Sequence, residues 1–380
     1  MHSKRISFID GLRGFSLLGI LLANLLIFQY GMYGKDAIET TSFLDEAALK
    51  FVKVAVEGSA MPIFTFVFGY SFINLLESIR NKGKKSRLSI LRRSTGLILL
   101  GFLHATYLWD GDILLFYGSI MIVLLPFINR KPKTLFIWAT ILFVLTTALG
   151  YGQVDSTTKE EQEMKEYNEL AYDTYGNGTY REIYEFRNDV MPPGFEDPIF
   201  IIILLIVAPF IYIPMFLFGM GVAKLGVFEN LVTERKWYIR GSIFVPLGLI
   251  CKALGLLKTD WAGVLSMGGS MLLSIGYISL FALLYETKFF VRIRSVFENV
   301  GKLSLSNYIL QTVICTFVFY GYGFGLFGQL GVAMGVLLGI VIYILQCILS
   351  TLYLKKFKRG PLEVLLRMWT NFSWSGRPKA

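Results

Sequence analysis

Two polar pairs occur inside apolar stretches of this sequence, and both could take part in chemistry. Arg13 precedes Asn24 by eleven residues, and Arg93 precedes His104 by the same interval. Eleven residues of an α-helix make three turns plus about 20° and rise about 16.5 Å, so each pair lies on one face of its helix. Polar groups are costly at membrane depth, which makes both pairs candidates for a functional site.

The spacing suits a long donor whose charged end stays at the membrane surface. Arg13, Arg92 and Arg93 could bind the phosphates of acyl-coenzyme A, because the planar guanidinium binds phosphate in bidentate fashion. His104 could then act as general base on a hydroxyl or an amine, and Asn24 could donate a hydrogen bond to the developing oxyanion. Structural roles remain open for each: the arginines as interfacial anchors, and the amide and imidazole as buried hydrogen-bonding groups.

Three carboxylates lie near the other ends of these stretches. Asp110 and Asp112 occupy the tight turn that follows His104. Asp112 could orient the His104 ring and fix its tautomer, as the acid of a catalytic triad does. Its alternative role is the N-cap of the next helix. Glu57, before another apolar stretch, is the alternative base.

A third polar group opens a later apolar stretch. Ser304, Tyr308 and Gln311 fall at positions i, i+4 and i+7, which lie on one face of a helix. This stripe is polar enough to line a cavity for the arm of the coenzyme. Ser304 alone is also a typical N-cap residue.

The composition excludes an ordinary soluble protein. Of the 380 residues, 54% are hydrophobic and 17% are charged, and the mean hydropathy is +0.57. A soluble domain would carry about a quarter charged residues. The two histidines and three cysteines show neither a C-x-x-C spacing nor a paired imidazole, so the sequence predicts neither a disulfide framework nor a metal site.

The apolar stretches predict an all-α, polytopic membrane protein that forms a single transmembrane domain over residues 1–380. A membrane-spanning helix needs about 20 mostly apolar residues. Ten stretches meet this requirement, near 14–31, 54–76, 89–109, 113–129, 134–151, 199–223, 240–257, 263–285, 304–325 and 330–354.

The charge distribution predicts the orientation. With the N-terminus in the cytoplasm, 28 of the 37 basic residues lie inside and 20 of the 27 acidic residues lie outside. This asymmetry is the one that the positive-inside rule requires. Both termini are therefore predicted to be cytoplasmic. The net charge of +10 follows from the same asymmetry and does not indicate nucleic-acid binding.

The long hydrophilic segment 152–198 is predicted to be extracytoplasmic. It carries 12 acidic and 4 basic residues, and its part 158–172 has a helix-forming composition. It could be a solvated connector, or a lid over an outward-facing site, since acids and tyrosines suit hydroxyl-rich ligands. At the other end of the chain, 359–369 predicts a short helix on the inner membrane face.

Three glycines recur every four residues on the last predicted span. Small residues at this interval let transmembrane helices approach closely. The pattern predicts a tight helix contact, either inside the chain or between the copies of a homodimer, at Gly331, Gly335 and Gly339.

Several motifs resemble the YeiB-like family of bacterial membrane proteins. The resemblance runs the length of the chain except for the hydrophilic segment. The motifs are Ile9-Asp-Gly-Leu-Arg-Gly-Phe with Asn24, the stretch from Glu57-Gly58 to Phe68-Gly69, His104 followed by Gly111-Asp112-Ile113-Leu114, Gly301-Lys-Leu-Ser-Leu-Ser-Asn-Tyr-Ile-Leu-Gln311, and Gly360-Pro-Leu-Glu with Arg367.

That family is similar to the ten-helix transmembrane acyltransferases, which include heparan-α-glucosaminide N-acetyltransferase and bacterial sugar O-acyltransferases. The resemblance implies a location in a bacterial plasma membrane. It also implies transfer of an acyl group, expected to be acetyl, from cytoplasmic acyl-coenzyme A to an extracytoplasmic acceptor such as an envelope glycan. The sugar enzymes carry a catalytic histidine where this sequence has Asn24. The heparan enzyme has asparagine there, and its histidine corresponds here to Lys35. The base must then come from elsewhere, and His104 is the one histidine in an apolar stretch.

A transporter or flippase of a small or lipid-linked metabolite is the alternative. Repeated halves are typical of transporters. A faint repeat relates residues 62–69 to residues 214–221, both rich in phenylalanine and glycine.

Overall fold

A computed structural model describes residues 6–40, 42–81, 83, 86–152, 157–195 and 197–374. Within these residues all regular secondary structure is helical. The α-helices are α1 Ser7–Tyr30, α2 Phe43–Phe51, α3 Ala60–Arg80, α4 Ser86–Tyr107, α5 Leu114–Val123, α6 Pro132–Ala148, α7 Thr158–Asn177, α8 Tyr180–Asp189, α9 Pro198–Lys224, α10 Arg235–Gly241, α11 Phe244–Leu254, α12 Ala262–Tyr285, α13 Lys288–Lys302, α14 Ser304–Phe319, α15 Val332–Lys356 and α16 Pro361–Asn371. A π-helical turn, Val52–Val56, continues α2, and short 3₁₀ turns lie at Gly34–Asp36 and Leu125–Phe127.

The length and composition of the helices indicate a multi-pass membrane protein. Among the described residues, five segments are long and apolar enough to cross a membrane: Ser7–Tyr30, Phe43–Arg80, Arg235–Leu254, Ala262–Tyr285 and Val332–Lys356. The pair of α13 and α14, whose helices are bent by 81°, is a sixth if the two helices cross as one span. Three shorter apolar helices, α5, α6 and the second part of α9, accompany these segments.

The hydrophilic segment folds into two helices. The helix predicted over 158–172 is present as α7, and α8 follows it after a two-residue turn. Each begins with a capping box, in which a threonine and a glutamate three residues later satisfy each other's backbone N–H. The end of the bundle that α7 and α8 cover is called the α7 side. The opposite end, where α16 packs on α4 and α14, is called the α16 side.

Helix α1 is the central helix, with α3, α13, α14 and α15 around it. Its approach to α13 is close enough to require glycine on both helices: a Cβ atom at Gly14 would overlap the backbone of Phe297, and one at Gly301 would overlap that of Asp10. This contact lies directly beside Arg13. It therefore fixes where that guanidinium enters the bundle.

The last apolar helix also packs on α1. Gly335 lies against Gln29, and Gly339 lies against Leu25. Two of the three regularly spaced glycines therefore serve an internal contact.

The two segments of the faint repeat face each other. Helices α3 and α9 form one of the closest helix pairs, with Gly69 against Phe216 and Gly219 against Phe66. Each helix thus places a glycine against a phenylalanine of the other helix, which gives this contact a local two-fold symmetry.

Candidate functional site

A chain of hydrogen bonds runs through His104 in the last turn of α4. The imidazole is buried, with 1% of its surface exposed. Its Nδ1 lies 2.8 Å from Oδ1 of Asp112, and its Nε2 lies 3.0 Å from Oγ1 of Thr312 on α14. A carboxylate beside Nδ1 favours a proton on that nitrogen, which leaves Nε2 free to accept one. The order acid, base and hydroxyl is the one used in nucleophilic and general-base catalysis.

Asp112 orients the imidazole and also caps α5 with its side chain, although the N-cap position itself is occupied by Ile113. Its Oδ1 holds the His104 ring, while its Oδ2 accepts a hydrogen bond from the backbone N–H of Leu115 at 2.7 Å, at the start of α5. Tyr308 holds the same turn from the other side. Its hydroxyl donates to the carbonyl oxygen of Gly111 at 3.1 Å and accepts from the N–H of Ile113 at 3.3 Å. The carboxylate is therefore fixed before any ligand arrives.

Aromatic rings surround the imidazole. The Tyr308 ring lies 5.2 Å from the His104 ring, and the Trp109 ring lies 6.5 Å away in an edge contact. Phe28 of α1 stacks on Trp109 at 4.1 Å. These rings exclude water from one side of the base, which strengthens its electrostatic interactions.

Asn24 lies one helical turn before Phe28 on α1, so it faces the same region. Its side chain is half-buried, and the hydrogen bonds of the His104 ring go to Asp112 and Thr312 instead. Among the described residues no hydrogen bond to its amide is found. Within the described part of the chain, the amide is thus a donor on α1 that no hydrogen bond engages.

The two arginines of the predicted pairs, Arg13 and Arg93, lie near each other at the α16 side, where the charge of one acts on the other. The Arg13 guanidinium donates to Oδ1 of Asp10 at 3.2 Å, to the carbonyl oxygen of Gly301 at 3.4 Å and to Oγ of Ser71 at 2.5 Å. Arg13 therefore has a fixed orientation at the junction of α1, α3 and α13.

Arg93 and Arg92 point in different directions. The nearby charges that act on Arg93 are those of Arg13 and Glu363, and in the part of the chain that the structure describes Arg93 makes no hydrogen bond or ion pair. The guanidinium of Arg92 lies over the ring of Phe372, 4.5 Å from its centroid. Of the two, Arg93 is the one oriented toward the interior.

The predicted stripe on α14 does not line one cavity. Tyr308 faces His104, whereas Nε2 of Gln311 donates to Oε1 of Gln346 at 2.9 Å in the contact with α15. The interpretation of Ser304 as an N-cap is wrong, since the N-cap residue is Leu303 and it provides no side-chain bond.

A carboxylate from α16 performs the capping instead. Oε1 of Glu363 accepts hydrogen bonds from the backbone N–H groups of Leu305 and Ser306, at 2.8 and 3.2 Å. Its Oε2 accepts from the Ser306 hydroxyl at 2.6 Å. A carboxylate at a helix N-terminus forms stronger, charge-assisted bonds than a serine hydroxyl does.

Glu57 lies in the break between the π-helical turn and α3, and it is paired. Its Oε1 is 2.6 Å from Nζ of Lys35. Burial alone would lower the pKa of Lys35, but the hydrogen bond and charge of Glu57 raise it above its usual value. The backbone oxygen of Glu57 also accepts a hydrogen bond from Lys252. In the part of the chain that the structure describes, no hydrogen bond or ion pair joins Glu57 to His104.

Helix α8 holds the end of α4 that carries His104. The guanidinium of Arg187 donates to the carbonyl oxygens of Leu108 and Thr106, at 2.7 and 2.8 Å. The hydroxyl of Tyr180 donates to the carbonyl oxygen of Tyr107 at 2.8 Å. These donors satisfy carbonyl groups that a helix C-terminus leaves without partners. The hydrophilic segment is therefore a cover fixed to α4.

Asp110 lies beneath this cover. The residue is exposed to solvent on one side and surrounded by protein on the other. The surrounding protein raises the pKa of Asp110 above its ordinary value, and the nearby charge of Arg187 opposes that rise. The carboxyl group thus lies in a recess. Its charge also acts on Tyr33 and Tyr167, whose rings contact each other at 5.8 Å.

A polar groove adjoins this recess on the α7 side. It has a volume of about 1080 Å³ and lies between the segment that follows α1 and the first turns of α7. Tyr30, Tyr172 and Asn168 line it together with five glutamates and two lysines. Tyr33 and Tyr167 are each next to a lining residue in the sequence, and both are close enough to Asp110 to feel its charge.

Two residues of this arrangement were not selected from the sequence. Thr312 lies four residues after Tyr308, and this interval could have placed it on the same face as the tyrosine. Arg187 is one of four basic residues in an acidic segment, and nothing in its spacing distinguishes it. Over the described ranges no group of three or more histidine, cysteine, aspartate or glutamate residues could hold a metal ion.

Comparisons with known proteins find relatives along the whole chain. Residues 222–373 match a family model described as "Protein of unknown function (DUF418)". The uncharacterized protein YxaH of Bacillus subtilis is 32% identical over 98% of this chain and 96% of its own length. The uncharacterized protein YeiB of Escherichia coli is 27% identical over 95% of each chain. An uncharacterized 39.9 kDa protein from the amylase 3′ region of Bacillus acidopullulyticus is 26% identical over 97% of this chain.

Proposed function

The chain belongs to the YeiB-like family, and we propose that it is a membrane acyltransferase. It takes an acyl group, expected to be acetyl, from acyl-coenzyme A and transfers it to a hydroxyl or amine of an acceptor such as an envelope glycan. The observation that carries the proposal is the buried chain from Asp112 through His104 to Thr312. A base held in this way by a carboxylate is equipped to deprotonate a hydroxyl.

The proposed topology has ten membrane spans and both termini in the cytoplasm. Each of the ten apolar stretches overlaps a helix, although five or six helical segments alone satisfy the requirement for length and composition. The α16 side is then cytoplasmic and the α7 side is extracytoplasmic. The Lys and Arg distribution along the sequence supports this orientation.

The donor binds from the α16 side. Of the three candidate arginines, Arg93 is the one that makes no hydrogen bond, ion pair or ring contact within the described residues, and it offers a bidentate site for a phosphate of the coenzyme. Arg13, held by Asp10 and Ser71, adds a second positive charge at the same entry. Arg93 and His104 are eleven residues apart on α4, about 16.5 Å along the helix axis. A long pantetheine arm is suited to that separation.

The transfer is a direct displacement at the thioester. Nε2 of His104 takes the proton from the acceptor hydroxyl or amine as its oxygen or nitrogen attacks the thioester carbonyl carbon. Asn24 donates a hydrogen bond to the negative charge that develops on the carbonyl oxygen. The carbon–sulfur bond then breaks, and the proton on His104 passes to the departing thiolate, which leaves as free coenzyme A. In this mechanism the Thr312 hydroxyl occupies the position that the acceptor takes.

The acceptor approaches from the α7 side. The groove beside α7 combines carboxylates, tyrosines and an amide, a set that suits hydroxyl-rich ligands. The charge of Asp110 acts on His104 and on Tyr33, and this carboxylate can accept a hydrogen bond from the acceptor.

Thermal unfolding of the purified full chain in detergent tests the proposal. A ligand that binds the folded state alone must raise the unfolding temperature. Acetyl-coenzyme A and its desulfo analogue should raise it, and ATP should do so much less. Arg93→Ala should abolish the shift, while Arg92→Ala, the neighbouring arginine on Phe372, should retain it. No shift at millimolar coenzyme would contradict the proposal.

A transporter or flippase is the second candidate. Two observations favour it: the reciprocal packing of the repeat segments in α3 and α9, and the interruption of a helix between Val56 and Ala60. Binding of coenzyme A that depends on Arg93 would distinguish the two functions, because a transporter of another metabolite is not expected to bind the coenzyme.

A further inference from the structure

An apolar groove with a volume of about 580 Å³ runs along α6 at the α16 side. It follows one face of the helix from Pro132 and Lys133 to Thr140 and Ile141, and Leu225, just after α9, closes it. The groove is shallow and open along its length, so an occupant would lie along the surface of α6. It lies apart from the His104 site and from the groove beside α7.

The floor of the groove depends on a close contact between α6 and α9. The ring of Phe136 lies against Gly221, where a Cβ atom would overlap it. The side chains of Ile137 and Ile141, on the same face of α6, stand beside an open channel and remain about half exposed. A channel of this shape, lined by apolar side chains, accommodates a hydrocarbon chain.

Several basic residues lie at one end of this channel. Arg130 and Lys131 immediately precede α6, and Lys133 is itself part of the lining. The amine of Lys224 lies beside them and donates to the carbonyl oxygens of Ile128 and Arg130, at 2.8 and 2.5 Å. An apolar channel that ends in several cations matches one chemistry, an acyl chain joined to an anionic headgroup.

We propose that this groove binds an acidic glycerophospholipid, with one acyl chain along α6 and the phosphate at Arg130, Lys131 and Lys133. Each basic residue near an anionic headgroup contributes about 1 kcal/mol, or about a fivefold change in affinity. The buried methylene groups of the chain add to this. The lipid does not take part in acyl transfer, so the inference does not depend on the proposed function.

Lipid-dependent thermal unfolding of the full chain in neutral detergent tests this site. The probes are phosphatidylglycerol, phosphatidylcholine and glycerol 3-phosphate at matched concentrations. Phosphatidylglycerol should raise the unfolding temperature clearly more than phosphatidylcholine, and glycerol 3-phosphate, which has no acyl chain, should have little effect. The double variant Lys131→Gln/Lys133→Gln should need at least tenfold more phosphatidylglycerol for the same shift.

Two further variants keep the test specific. Thr140→Trp should fill the channel and weaken the lipid effect without removing a charge. Lys355→Gln/Lys356→Gln removes two adjacent lysines at the end of α15 and should leave the effect unchanged. An equal response to both phospholipids, an equal loss in the two lysine variants, or a full response to glycerol 3-phosphate would each overturn the proposal.

Discussion

Arg187 on α8 donates a hydrogen bond to the carbonyl oxygen of Leu108, just beyond the C-terminal end of α4, at 2.7 Å. The cover on the α7 side and the helix that carries His104 are therefore joined by a charged group. Arg187→Ala should lower the free energy of unfolding by about 2 kcal/mol, because two carbonyl oxygens lose a charged donor. Denaturant unfolding in detergent measures this.

The matched control for Arg187 is Arg181 on the same helix. Arg181 is exposed and pairs with Glu185 one turn later. Arg181→Ala should change stability little, since exposed pairs of this kind are screened by solvent. Equal effects of the two substitutions would show that the bonds from Arg187 to α4 do not hold the cover.

His104→Ala should reduce acyl transfer by about two to four orders of magnitude, the usual contribution of a general base. Asp112→Asn should have a similar effect, because an amide can donate to Nδ1 and so move the ring proton to Nε2. Release of free coenzyme A thiol reports the rate. Asp173→Asn, an exposed residue of α7, should leave the rate unchanged. Transfer at the full rate by folded His104→Ala would remove His104 from the mechanism.

Thr312→Ala should retain transfer to within about tenfold of the wild-type rate, because direct transfer uses Nε2 of His104 and not the threonine hydroxyl. The same thiol-release measurement applies. If Thr312→Ala loses as much activity as His104→Ala, an acyl-threonine intermediate must replace direct transfer. Thr312→Ser should then retain activity, since it keeps the hydroxyl.

The recess around Asp110 predicts a pH dependence of stability. A carboxyl group whose pKa is raised on folding stabilises the folded state most when protonated, at a pH below its ordinary value of 3.8. That contribution is lost as the pH rises through the raised value. Asp110→Asn should therefore become more stable relative to wild type as the pH increases from about 4 to 7. Unfolding temperatures of both proteins across this range give the comparison, and a difference that does not vary with pH would contradict the raised pKa.

Glu363→Ala should destabilise the protein by about 1 kcal/mol, the usual value of a lost N-cap. The backbone N–H groups of Leu305 and Ser306 lose their acceptor in this variant. Glu363→Gln should recover part of the loss, since its amide oxygen can still accept. Glu286→Ala, which removes a weak exposed pair at 3.9 Å from Arg294, is the control for charge alone. No difference between Glu363→Ala and that control would contradict the capping role.

The sequence was sufficient to predict those features of the fold and the site that depend on residues close together in the chain. Apolar stretches located the main helices, and the eight-residue interval from His104 across a tight turn predicted its contact with Asp112. The partner of Nε2 was not predicted, because Thr312 lies 208 residues away and meets His104 through the packing of α14 on the bundle. The same limit applies to Gln311, whose partner Gln346 depends on the rotation of α15.

The cap of α14 also has a consequence for the assembly of the chain. The ribosome completes α14, with Tyr308 and Thr312, well before it reaches Glu363, 58 positions after Leu305. Until α16 emerges, the first N–H groups of α14 lack their carboxylate. The order of synthesis therefore leaves the first turn of the helix that carries Tyr308 and Thr312 uncapped until the chain is almost finished.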